Sequence, residues 1–119
     1  MSHKEEILQA LDFLSNNINE IWTEDRGEPP CEECLSRSRS FIESLPNGAI
    51  FPTSVTPQEL EIVFTWHLED RRLIVIMDAD FVHMSNRYYN GVPTYLEDLD
   101  YTPEEGIPHH ILFYIPISR

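Results

Sequence analysis

An α+β fold is predicted for this chain, with two N-terminal helices packed on a four- to five-stranded antiparallel sheet. Three observations predict it. Ile7, Leu11, Leu14, Ile18 and Ile21 recur at three- and four-residue spacing, which puts them on one stripe of a helix. Leu60, Ile62, Phe64, Trp66 and Leu68 alternate with Glu61, Val63, Thr65 and His67, the period of a strand with one buried face. The run Leu73-Ile74-Val75-Ile76-Met77 is apolar at every position, so it should be the central strand. Polar turns at Glu69-Asp70-Arg71 and Asp78-Ala79-Asp80 join these strands to a third, Phe81 to Tyr89, and make Leu60 to Tyr89 a meander.

Taken in order, Ser2-His3-Lys4-Glu5 fits a capping box with Ser2 as N-cap, opening a helix from about residue 3 to residue 21. Leu8 and Trp22 widen its stripe; Phe13 sits off it, as an exposed aromatic or a second contact. Thr23 to Pro30 is an acidic loop. Pro30 suits the entrance of a second helix, whose packed face should carry Cys31, Leu35, Ser38, Phe41, Ile42 and Leu45, with Arg37 and Arg39 pointing elsewhere. Pro46-Asn47-Gly48 should stop it. Ala49 to Val55 contains Pro52, which restricts it to an edge strand or an extended lead-in. Thr56-Pro57-Gln58 reads as the turn into the meander. After Asn90-Gly91, residues 92–110 read as a long acidic loop, with Tyr95, Leu96, Leu99 and Tyr101 able to anchor a short helical turn. Ile111 to Ile117 alternates and should close the chain as an edge strand. A single domain over 1–119 is expected, helical over 1–46 and sheet over 49–119.

Composition bounds the function. The chain carries 21 acidic residues against eight basic ones, a formal charge of −13, and five carboxylates with no Lys or Arg between Tyr88 and Ser118. Such a field repels nucleic acid and anionic membranes and attracts basic protein surfaces. Direct nucleic-acid binding is not expected. No apolar run approaches the length of a membrane span. The opening residues Met1 to Glu6 lack an apolar signal core, so a cytoplasmic location and reduced cysteines are expected.

From Trp22 to about Tyr89 the chain resembles a loose group of short, uncharacterised bacterial α+β proteins. The features that carry the resemblance are Trp22, the loop Gly27-Glu28-Pro29-Pro30, the helix end Phe41-Ile42-Glu43-Ser44-Leu45-Pro46, the strand Glu61 to Trp66 and the turn Asp78-Ala79-Asp80. The resemblance implies helices followed by a sheet. It implies no activity.

Cys31-Glu32-Glu33-Cys34 is the one motif-like spacing. Two thiols three residues apart at a helix start could be a redox pair, but the preceding segment is a proline loop and not a strand, and two glutamates oppose thiolate formation. As a zinc half-site, Cys31 and Cys34 would need two more ligands, and His109-His110 on a strand would point to opposite faces. His67 and His83, read on adjacent strands, sit near opposite turns, and Ser85 is the only nearby nucleophile, so no acid–base site is assembled. Glu59, Glu61, Glu69 and Asp70 surround the first hairpin. Glu97-Asp98-Leu99-Asp100 lacks the register of a calcium loop. No cofactor is expected.

Protein binding is the favoured function. Carboxylates beside aromatics mark a protein-binding surface, here Tyr88, Tyr89, Tyr95, Glu97, Asp98, Asp100, Tyr101, Glu104 and Glu105. The expected role is an acidic, non-enzymatic module that antagonises a basic, nucleic-acid-handling protein, as antitoxins or phage-encoded anti-defence inhibitors do. The alternatives are a metal- or thiol-dependent enzyme using Cys31 and Cys34, and an immunity-type or regulatory subunit whose partner is not basic.

Overall fold

A computed structural model describes residues 3–118, and the expected Ser2 cap lies outside the described residues. Helix α1 runs His3–Ile21 and α2 runs Glu32–Glu43. Five strands follow, β1 Ser54–Gln58, β2 Glu61–His67, β3 Arg71–Met77, β4 Phe81–Tyr88 and β5 Thr94–Asp100, and a short helix α3 covers His109–Leu112. The strands form one antiparallel meander in the order β1-β2-β3-β4-β5. The chain is α+β, and the apolar run of β3 is the central strand of five.

Register decides which residues share a face, because directly opposed residues in an antiparallel pair point the same way. Ile62, Met77, Val82 and Leu99 form one cross-strand row, and Phe64, Val75, Met84 and Leu96 form the next. These rows make the inner face. Helix α2 lies on it: the Phe41 and Phe64 rings meet at 5.3 Å, and the Cys34 thiol donates to the Met77 carbonyl. Helix α1 packs against α2 through Ile7, Leu11, Leu14 and Ile18. Its expected stripe ends early. Ile21 is exposed, and Trp22 is half-buried instead, its indole donating to the Gly27 carbonyl under the Arg26 guanidinium. Phe13 is exposed.

Several expectations are corrected. Thr56-Pro57-Gln58 is strand and not turn: it belongs to β1, an edge strand that tolerates Pro57. The turn is Glu59-Leu60, and Leu60 leaves the buried row to take a left-handed φ of 62°, with its N–H on the Glu28 carbonyl. Arg37 does not point away. It is buried at 6% exposure on the packed side of α2, whereas Cys31 is exposed at the helix N-cap. Residues 94–100 of the supposed acidic loop are β5. Finally, Ile111–Ile117 is no strand. Ile107, Ile111 and Ile115 are buried at four-residue spacing, and only Ile117 makes a strand-like bridge, to Ala49.

The segment after β5 therefore crosses the inner face and adds to the core. Two arginines hold it. Arg37 donates to the Tyr101 carbonyl at 2.5 Å and the Asp78 carbonyl at 3.3 Å; Arg71 donates to the Tyr114 carbonyl at 2.7 Å and to Asn86. Its end is tied to the α2–β1 connection by the Ile50 N–H on the Pro116 carbonyl and the Ser118 N–H on the Gly48 carbonyl. Among the described residues no helix is long and apolar enough to cross a membrane.

Candidate partner-binding surface

Among the described residues, strand β5 forms a free edge of the sheet, pairing with β4 on one side only. Its register explains where its charges go. Tyr95 opposes Ser85 and Asp100 opposes Phe81, both on the outer face, while Leu96 and Leu99 oppose Met84 and Val82 on the inner face. The register shifts between Val82 and Met84, so Glu97 and Asp98 together stand opposite His83. Asp98 adopts a φ of 55°, a conformation that Asp tolerates better than most residues. The result is an edge strand with Tyr95, Glu97, Asp98 and Asp100 exposed towards its outer side and Leu96 and Leu99 turned to the core.

His83 holds the bulge in place. Its Nδ1 accepts the Asp98 N–H at 3.0 Å, which leaves the proton on Nε2, 2.8 Å from the Asp78 carboxylate. Asp78 in turn accepts the N–H groups of Asp80 and Phe81. Partial burial pushes its pKa up, but the bonds from His83 and the two amides outweigh that and hold the carboxyl below its ordinary value. Both ring nitrogens of His83 are thus occupied by structure, which leaves none for acid–base work. His67 stands at the far end of β2, and β3 lies between it and His83, so the two are not on adjacent strands.

The other residues expected at the surface divide. Tyr88 and Tyr89 are exposed at the β4–β5 turn, Tyr88 under the Arg71 guanidinium and Tyr89 with its hydroxyl on the Leu68 carbonyl. Glu104 and Glu105 are exposed in the turn closed by the Thr102–Gly106 bridge. Tyr101 is not available to a partner. It is 2% exposed, its ring faces Arg37 and its hydroxyl donates to Ser40. A core role was hidden there because one strongly apolar body carries a polar tip.

A feature not expected from the sequence adjoins β5. Leu96, His109, His110, Phe113 and Tyr114 line a shallow, mostly apolar pocket of about 300 Å³ between the strand and α3. Phe113 is 83% exposed at its rim. His109 and His110 stand on a helix and not on a strand, and among the described residues no group of three metal-ligating side chains is assembled.

Cys31 and Cys34 are free thiols with different surroundings. Burial, then the neighbouring Cys31, pushes the Cys34 thiol up to about 12. At neutral pH Cys34 is protonated and a poor nucleophile or ligand. Iodoacetamide at pH 8 should label exposed Cys31 and leave Cys34 untouched in the folded protein, as intact mass and peptide mapping would show. Equal labelling of both would place Cys34 in an open environment.

No protein-family model, curated protein or solved structure matches this chain.

Proposed function

We propose that this chain is an acidic, non-enzymatic protein-binding module that antagonises a basic, nucleic-acid-handling partner, in the manner of antitoxins or phage-encoded anti-defence inhibitors. One observation carries the reading: β5 brings Tyr95, Glu97, Asp98 and Asp100 to the exposed side of a free sheet edge. From Tyr88 to Ser118 the sequence contains no Lys or Arg. Carboxylates ranged along a strand offer a basic groove what phosphates offer it. The reading takes α1 and α2 as one layer bracing the sheet from behind, and places the protein in the cytoplasm, where Cys31 and Cys34 stay reduced.

Acidic residues on an edge strand also keep it from pairing with copies of itself. A binding measurement separates that role from partner recognition. The partner captured from the native host should associate more slowly with a Glu97→Gln, Asp98→Asn, Asp100→Asn variant, by about tenfold at low salt, because steering by exposed charge acts on the on-rate. Asn at position 98 keeps the left-handed backbone accessible. Raising the salt should close the gap, since exposed charges are screened over about 8 Å at physiological ionic strength. DNA or RNA should compete. Association indifferent to both salt and the triple substitution would overturn the reading.

A further inference from the structure

We infer that the partner docks by adding an extended strand to β5, and that the segment it adds alternates basic and apolar residues. The inference rests on the reading of a basic partner and names how such a partner is held. Among the described residues, β5 receives backbone hydrogen bonds only from β4, so its other edge is open to a further strand. A strand laid there would run about 4.8 Å from β5, its side chains alternating between the two faces. The two faces differ in chemistry. On the inner side, a residue beside Leu96 would project into the pocket lined by Phe113, Tyr114, His109 and His110. On the outer side, its neighbours would stand beside Tyr95 and Glu97, with Asp98 and Asp100 beyond.

The bulge sharpens the expectation. It bends β5 at Asp98, so the regular stretch available for pairing is Thr94 to Glu97. The core of the motif is then short: a basic residue, an apolar one for the pocket, and a second basic residue. Carboxylates that deter a second copy of β5 by like charge favour such a segment, so one set of residues rejects self-pairing and selects the partner.

Synthetic nine-residue peptides of one composition test this against the full chain. One alternates Lys with Leu, and another has the same residues permuted so that the alternation is lost. Fluorescence anisotropy should give the alternating peptide about tenfold tighter binding, the equivalent of one to two net hydrogen bonds. N-methylation of the alternate amides facing β5 should abolish the advantage, while methylation of the other set should not. Phe113→Ala, at a surface position that leaves the core intact, should weaken the alternating peptide about tenfold and the permuted one little. Equal, salt-sensitive binding of both peptides would overturn strand addition and leave the acidic module standing. No binding of either at low salt would also overturn strand addition. The module itself fails only if association with the captured partner is indifferent to both salt and the triple substitution.

Discussion

Replacing Trp66 with alanine is expected to destabilise the fold by about 3–5 kcal/mol, the range for deleting a large aromatic from a close-packed core. Trp66 is 0% exposed on the inner face, opposite Leu73, and its indole donates to the Ile50 carbonyl at 2.8 Å. Alanine removes the ring, leaves a cavity and orphans that carbonyl. Trp66→Phe keeps most of the apolar volume and should cost less, about 1–2 kcal/mol from the lost, part-buried hydrogen bond plus imperfect packing. Urea titrations read both differences from the midpoint at constant slope. A loss below about 1 kcal/mol for Trp66→Ala would mean that the site is not the packed centre described above.

Arg37→Met is expected to cost about 3 kcal/mol, although it removes a buried cation that has no ion-pair partner among the described residues. Two effects compete. Burying a guanidinium carries a desolvation cost of several kcal/mol, and one of its terminal nitrogens, Nη2, has no acceptor. Against this stand charge-assisted bonds to the Tyr101 and Asp78 carbonyls and the Tyr101 ring 5.2 Å from the guanidinium carbon. Methionine restores volume but not donors, so the buried Tyr101 carbonyl loses its partner at about 1–3 kcal/mol and the part-buried Asp78 carbonyl loses a weaker one. The orphaned acceptors decide the sign. The loss should change little with salt, because the group is shielded from solvent ions. A variant as stable as the parent would show that desolvation of the cation had dominated.

The elements legible in the sequence are those whose periodicity the fold leaves undisturbed. The stripe of α1 up to Ile18 and the meander from Ile62 to Met84 follow directly from spacing, because each element keeps its apolar residues on a face turned to the core. Strand β5 was hidden by its bulge. An extra residue at Glu97-Asp98 puts Leu96 and Leu99 on the same face three positions apart, a spacing that imitates a helical turn. The reverse happened after Pro108, where Ile111, Phe113, Ile115 and Ile117 alternate in sequence, but the fold buries every fourth residue from Ile107. Arg37 and Tyr101 were misplaced for a common reason: each satisfies the other's neighbourhood, and that pairing exists only once β5 returns past α2. The apolar pocket beside Leu96 depends on the same return and has no local signature.

Every neighbour in the sheet is also a neighbour along the chain, so each hairpin closes over a turn of a few residues and the sheet assembles from local contacts. The seam between Gly48–Ile50 and Pro116–Ser118 is the opposite case: it joins points separated by the whole sheet, and nothing local favours it until the strands are in place. Loop-closure entropy concentrates there. In the order of assembly, the sheet is therefore expected to come early and the seating of Ile107, Ile111 and Ile115 last, so the tail sets the pace of folding although it supplies no strand.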